Sequence, residues 1–214
     1  RYVAALLVFF FHLDLKKSNE IVQTIFSNGY LGVSFFFVLS GFVLSYSYQK
    51  KIVEGSLSLK KYILLRLARL TPLHFATTLP FVILAIYHSD LNLLFLITNL
   101  SYLHSWIPNS EVYFSFNAPS WSLSNEMFFY FCFFFLTVLM MKKLVIMTIF
   151  LIIFISIFAL FVGIFLSDFQ IFEKTSLSHW LFYIFPGFRI LEFIVGIILF
   201  RLWKNGFRLN ELFV

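Results

Sequence analysis

The chain begins with Arg1-Tyr-Val-Ala-Ala-Leu-Leu-Val-Phe-Phe-Phe-His12, an apolar run with an ionisable residue at each end. In an α-helix, eleven steps of about 100° bring His12 to within about 20° of the face of Arg1, and about 16 Å further along the axis. In a membrane, such a helix holds its arginine near one interface and its histidine deep in the hydrocarbon. Because an ionisable residue in lipid is costly, His12 is a functional-site hypothesis.

The composition indicates a membrane protein. Of the 214 residues, 61% are hydrophobic, only 12% are charged and 33 are phenylalanine, whereas a soluble domain of this size carries about twice as much charge. The net charge of +6 comes from basic residues at the ends of apolar runs, which is typical of cytoplasmic flanks and not of nucleic-acid binding. The single cysteine excludes a disulfide framework and a cysteine-based metal site, and no metal site is predicted.

The apolar runs predict an all-α, polytopic transmembrane helical bundle. Six runs are expected to span the bilayer, at about residues 1–15, 30–48, 70–87, 121–141, 144–166 and 181–203. A weaker run at 91–103 is re-entrant or interfacial if every basic cluster faces the cytoplasm. If this run spans instead, the bundle has seven spans, and Lys142-Lys143 and the cluster around Arg201 fall outside.

The chain is expected to form one membrane-embedded domain over residues 1–214, integral to the inner or plasma membrane, with its basic loops in the cytoplasm. It starts without methionine and stops at Leu-Phe-Val, which favours a domain that is incomplete at its C-terminus. The expected partners are the lipid bilayer and small molecules, with no nucleic acid.

Several polar residues in or beside the spans could carry chemistry. A neutral imidazole at His12 could take a proton from a hydroxyl group, or could simply bond a neighbouring helix. Arg66 and Arg69, spaced i, i+3, could bind phosphates together with Arg1, or could only set the topology. Glu126 lies one turn into a span, which Ser120 or Ser122 could cap, and could orient an imidazole or an acceptor hydroxyl.

Arg189 and Glu192 share a helix face inside an apolar run and are interpreted as a structural intramembrane pair. The sequence contains no Gly-x-Ser-x-Gly elbow, no Gly-rich phosphate loop with a lysine and no His-Glu-x-x-His pair. Serine hydrolases, nucleotide hydrolases and zinc proteases of those types therefore have no support.

Five motifs occur in order along nearly the whole chain: Arg1…His12; Gly32-Val-Ser-Phe-Phe-Phe-Val-Leu-Ser-Gly-Phe42; Arg66-Leu-Ala-Arg69 with Leu70-Thr-Pro72; Ser120-Trp-Ser-Leu-Ser-Asn-Glu126; and Phe188-Arg-Ile-Leu-Glu-Phe-Ile-Val-Gly196. Together they resemble the motifs of acyltransferase family 3, the integral-membrane enzymes that O-acylate bacterial surface and secreted glycans. The sequence departs from the family at Met127, where a second acidic residue is common. The family usually has about ten membrane helices, so the resemblance implies that the last ones are missing.

The resemblance implies an O-acetyltransferase-like enzyme that uses cytoplasmic acyl-CoA, commonly acetyl-CoA, as a donor substrate, with no permanently bound cofactor. The acceptor would be a hydroxyl group of a glycan or another molecule. His12 would act as general base or transient acyl carrier, Glu126 would assist it, and the arginines would bind the phosphates of the donor. The alternative is a membrane transporter that uses its intramembrane His, Glu and Arg residues as a proton or substrate path.

Overall fold

The computed structural model describes residues 5–6, 8–9, 31–140, 144–165, 173 and 175–206. The regular structure of these residues is helical, without a strand, and the predicted all-α architecture is confirmed. The longer helices are α1 (Leu31–Val53), α2 (Leu59–Tyr87), α3 (Leu93–Leu100), α4 (Trp121–Met140), α5 (Leu144–Phe165) and α6 (Pro186–Lys204). Shorter helical turns are His104–Trp106, Ser110–Tyr113, Ala118–Ser120, Leu177–His179 and the π-helical Trp180–Ile184. Of the predicted first helix, residues 5, 6, 8 and 9 are described and are helical.

Helix α2 begins eleven residues before the expected start of its span at residue 70. Ser58 has extended backbone angles, and its side chain accepts a hydrogen bond from the backbone N–H of Lys61. This cap starts the helix just before Lys60 and Lys61, so these lysines and the following Arg66 and Arg69 lie in a helix and not in a loop. The 29 residues of α2 run without a break through Pro72 and Pro80 and rise about 43 Å, more than the ~30 Å of a hydrocarbon core.

Three segments of the described chain are long and apolar enough to cross a membrane: Leu31–Val53, Leu59–Tyr87 and Leu177–Lys204. Helices α4 and α5 have 20 and 22 residues, the length that a span requires. Helix α3 has only eight residues, about 12 Å, and is too short to cross as a helix. This length favours the re-entrant or interfacial alternative for residues 91–103, while the total of six spans stays a prediction.

The chain divides into two compact units, residues 1–47 with 192–214 and residues 48–191. In the first unit, α1 and α6 pack in parallel, because positions further along α1 contact positions further along α6. Gly41 faces the backbone of Phe193. Further along both helices, the ring centroids of Tyr46 and Trp203 are 5.9 Å apart. Two spans of one chain run parallel when an even number of spans, counted from the first of the two, precedes the second. The six-span prediction meets this condition, because α1, α2, α4 and α5 would precede α6.

The second unit contains α2, α3, α4 and α5, and its core combines aromatic rings with buried polar groups. Tyr62, Phe129 and Phe133 are fully buried where α2 meets α4. The segment between α3 and α4, residues 101–120, folds back into this core, and His104 and Ser105 within it are also fully buried. The loop thereby fixes the beginning of α4, which carries Glu126.

Candidate active site

Arg66 points into the second unit and is only 5% exposed. Its guanidinium carbon lies 4.5 Å from the ring centroid of Tyr48, 5.7 Å from that of Tyr130 and 5.9 Å from that of Tyr62. Its Nη2 also donates a hydrogen bond to the hydroxyl oxygen of Tyr48. We call Arg66 and these three tyrosines the arginine cage.

The arginine cage stabilises a buried charge although no carboxylate of the described residues contacts the guanidinium group directly. Removing a guanidinium from water costs several kcal/mol unless other groups replace its hydration. Here the negative faces of the aromatic rings and the Tyr48 hydroxyl group supply part of that replacement. Nε of Arg66 is buried without a hydrogen-bond partner among the described residues, so the cage retains one unused donor.

Tyr130 connects the arginine cage to Glu126. Its hydroxyl group donates a hydrogen bond of 2.8 Å to Oε2 of Glu126, one turn earlier on the same face of α4. Tyr130 is 2% exposed, and Glu126 is half-buried. The structure therefore brings together Arg66 and Glu126, which come from two separate sequence motifs, through a residue that the sequence analysis did not single out.

Arg69 has a different environment from Arg66. Residues three apart on a helix differ by about 60° around the axis, and here that angle separates a buried guanidinium from an exposed one. The spacing alone suggested that both arginines share one task. Burial distinguishes them, because only Arg69 is open to a group that approaches from outside the described fold.

Of the other predicted site residues, some lie within the described part of the chain and some lie outside it. Arg1 and His12 lie outside the described residues. Arg189 is 6% exposed, with its guanidinium carbon 5.0 Å from the ring centroid of Tyr183 and 6.0 Å from that of Trp121. The expected pair of Arg189 with Glu192 stays a prediction.

A second set of buried groups joins the loop to α2 and α3. We call it the buried polar network, and its members, each at most 1% exposed, are His74, Asn99, His104 and Ser120. His74 Nε2 donates to the Asn99 backbone carbonyl (3.1 Å), and the Asn99 side chain donates to Ser120 Oγ (3.3 Å). Ser120 Oγ and His104 Nε2 are 3.4 Å apart. These bonds satisfy part of the network, since burial without them would be costly, while Nδ1 of His74 and Oδ1 of Asn99 are buried without a hydrogen-bond partner among the described residues.

The serines of the motif Ser120–Glu126 connect the start of α4 to the preceding loop by hydrogen bonds. Ser120 belongs to the buried polar network, and Ser124 Oγ donates to the Tyr102 carbonyl (2.6 Å). Ser122 Oγ donates to the Pro119 carbonyl (2.9 Å). These hydrogen bonds fix the first turns of α4 against the loop and thereby set the position of Glu126. The sequence suggests Ser120 or Ser122 as the cap of this helix, but these hydrogen bonds are not capping bonds.

His104 makes the stability of the loop depend on pH. Burial lowers the pKa of His104 to about 4, against an ordinary value of 6.5, and this outweighs its hydrogen bonds to the backbone of Ser120 and Thr98. The unfolded chain therefore takes up a proton between pH 6.5 and 4 that the folded chain does not bind. The contribution of His104 to the free energy of unfolding is fully present above pH 6.5 and falls by about 3 kcal/mol as the pH drops to 4.

This prediction is checked by denaturation of the purified protein in detergent at a series of pH values. His104→Asn removes the titrating group and is expected to flatten the curve between pH 6.5 and 4, at the cost of a lower plateau. His88→Asn changes an exposed histidine and is the matched control, which keeps the wild-type slope. An unchanged slope in His104→Asn would contradict the assignment.

Sequence reasoning missed the tyrosines of the arginine cage and the role of Asn99. The one available signal for Tyr130 was its i+4 spacing from Glu126. Asn99 was visible only as an interruption of an apolar run. Within the described residues, no group of three or more His, Cys, Asp or Glu is arranged to hold a metal ion.

Comparison with known proteins adds evidence from the whole sequence. The family described as "Acyltransferase domain" matches residues 1–213. The chain is 34% identical to "Acyltransferase MdmB" of Streptomyces mycarofaciens over 145 residues, 62% of this chain and 36% of that protein. It is 33% identical to "Protein 2 in picA locus" of Rhizobium radiobacter over 148 residues, 59% of this chain and 73% of that protein. The match with the first of these relatives thus covers about a third of that protein's length. No solved structure matches it.

Proposed function

The chain belongs to acyltransferase family 3, and we propose that it is an integral-membrane O-acetyltransferase that moves an acetyl group from cytoplasmic acetyl-CoA to a hydroxyl group of a cell-surface or secreted glycan. The observation that carries the proposal is the link from the buried Arg66 through Tyr130 to the half-buried Glu126. A cation and a carboxylate held together inside a membrane protein are costly, and such groups are typical of functional sites.

The proposed reaction needs a base beside the acceptor. The acceptor oxygen attacks the thioester carbonyl carbon, His12 takes the hydroxyl proton, and the C–S bond breaks to release the CoA thiolate. In the alternative order, His12 first takes the acetyl group as an acyl carrier and then passes it to the acceptor. Glu126 orients His12 or the acceptor hydroxyl in either order.

Coenzyme A carries several phosphate charges, which suit guanidinium groups. Arg1, Arg66 and Arg69 are the proposed phosphate-binding residues, and burial favours Arg69 over Arg66 for a direct contact with a phosphate that arrives from water. The donor would enter from the cytoplasmic side, where positively charged flanks are expected.

Replacing the exposed arginine tests this division. Arg69→Ala is expected to raise KM for acetyl-CoA about tenfold with little change in kcat, because one charge-assisted contact to the donor is lost. Initial rates at varied acetyl-CoA measure both constants. Lys60→Ala removes an exposed cation from the same helix and is the matched control. An equal, small effect of both variants would leave Arg69 with a role in topology only.

The activity itself is tested in inside-out membrane vesicles from cells that produce the protein, supplied with acetyl-CoA labelled in the acetyl group. The expected result is alkali-labile label on the glycans of the vesicles, and no label with His12→Ala vesicles. Accumulation of label inside the vesicles without a glycan ester would favour the transporter alternative. Absence of both would contradict acetyl transfer to these glycans.

A further inference from the structure

The side chain of Tyr130 contacts two groups of opposite charge, one at its ring and one at its hydroxyl group. Its ring faces the Arg66 guanidinium group at 5.7 Å, and its oxygen donates to the Glu126 carboxylate at 2.8 Å. Both contacts involve a side chain that is 98% buried, so water does not screen them effectively. Resting on the proposed function, we infer that Tyr130 is a positioning residue that couples the charge of Arg66 to the orientation of Glu126 in acyl transfer.

Arg66 is held in place before any ligand binds. Three rings and the Tyr48 hydroxyl group surround the guanidinium group, and 5% of Arg66 is exposed. A planar cation enclosed by three rings has few other positions available. Arg66 is thus a fixed charge, which is the condition for orienting a neighbouring dipole without reorganisation during the reaction.

The fixed charge of Arg66 acts on Glu126 through Tyr130. A cation at the ring face withdraws electron density and makes the phenol a stronger donor, and hydrogen bonds in a chain strengthen each other where the dielectric constant is low. The donor is also fixed, because Tyr130 is on the same helix as Glu126 at i+4. One carboxylate oxygen is therefore held by Tyr130, and the carboxyl group is left with a defined direction for its remaining contacts.

Without the Tyr130 hydroxyl group, Oε2 of the half-buried Glu126 loses the hydrogen bond that sets its present direction, and the χ angles of the carboxylate are less restricted. A wrongly oriented carboxylate impairs the chemical step and not the binding of the donor. The coupling therefore predicts a fall in kcat with KM for acetyl-CoA unchanged.

The test is a double-mutant cycle of Tyr130→Phe and Glu126→Gln. Tyr130→Phe keeps the ring over Arg66 and removes only the hydroxyl group, and it is expected to lower kcat about tenfold with KM for acetyl-CoA within about twofold. In the Glu126→Gln background the same change is expected to lower kcat less than about twofold, because its target is already altered. Equal fold-losses in both backgrounds would overturn the coupling.

The matched control is Tyr102→Phe. Tyr102 is 5% exposed, and its hydroxyl group donates to the neutral Oγ1 of Thr71 (3.2 Å) and not to a carboxylate. Its loss is expected to lower thermal stability and to leave kcat unchanged. If Tyr102→Phe lowers kcat as much as Tyr130→Phe does, the effect is one of general packing and the inference fails.

Thermal denaturation of the same variants separates this inference from the proposed function. Tyr130→Phe is expected to lower Tm by a larger amount in the wild-type background than in the Glu126→Gln background. If Tm shows this non-additivity and no acetyl transfer is found, the proposed function fails while the coupling stands. If transfer is found and both Tm and kcat are additive, the coupling fails while the function stands.

Discussion

Gly41→Ala and Gly196→Ala are each expected to prevent the first unit from packing. A Cβ atom at Gly41 would overlap the carbonyl oxygen of Phe193 and lie 3.2 Å from the backbone nitrogen of Ile197. A Cβ atom at Gly196 would overlap the carbonyl oxygen of Val38 and lie 2.9 Å from the backbone nitrogen of Phe42. Each glycine therefore faces the backbone of the other helix, and no side-chain rotation can make room.

The sign of the effect distinguishes close packing from helix propensity. In an exposed helix, alanine is more stable than glycine by about 1 kcal/mol. Here we expect a loss of at least about 3 kcal/mol, since two backbones must move apart along a tightly packed contact. The stability of the purified variants in detergent, or their failure to accumulate in the membrane, provides the measurement.

Gly187→Ala is the matched control for the two substitutions. Gly187 is also helical, but its Cβ atom would meet the ring of Phe185, at 2.5 Å from one ring carbon. A ring can move more easily than a backbone, so a smaller loss is expected. Wild-type stability in both Gly41→Ala and Gly196→Ala would contradict the parallel contact of α1 and α6.

The glycines also show what sequence reasoning could and could not predict. Gly41 and Gly196 were recognisable as small residues in two motifs, and small residues allow close approach of membrane helices. That the two motifs meet each other depends on the path of the whole chain, which no local pattern contains. The helices themselves were predictable, since long apolar runs in a bilayer have few alternatives to helix.

Boundaries and side-chain environments were less predictable. The start of α2 depends on the cap by Ser58, a weaker signal than the apolar run that begins eleven residues later. Arg66 and Arg69 looked equivalent because they are three residues apart, and only contacts with Tyr48 and Tyr130 from other helices distinguish them. Long-range contacts of this kind are set by tertiary packing and not by spacing.

His12→Ala is expected to lower kcat for acetyl transfer by a factor of about 10³, the largest catalytic effect among the proposed residues. The reason is chemical: a hydroxyl group is a weak nucleophile at neutral pH unless a base takes its proton, and an imidazole has the ordinary pKa nearest to that pH. The sequence predicts that Arg1 and His12 share one helix face about 16 Å apart, and a donor bound by its phosphates at the arginine would then present its thioester near the histidine.

One further measurement decides which role His12 has. If His12 is the general base, rapid quenching of the wild-type protein with labelled acetyl-CoA and no acceptor leaves no label on the chain. If His12 is an acyl carrier, label appears on the peptide that contains it, since an acyl-imidazole forms before the acceptor attacks. His88→Ala, an exposed histidine, is the control and keeps the wild-type rate. A His12→Ala protein that retains its fold and its full rate would remove His12 from the mechanism, and Glu126, held by Tyr130, would then be the only proposed proton acceptor among the described residues.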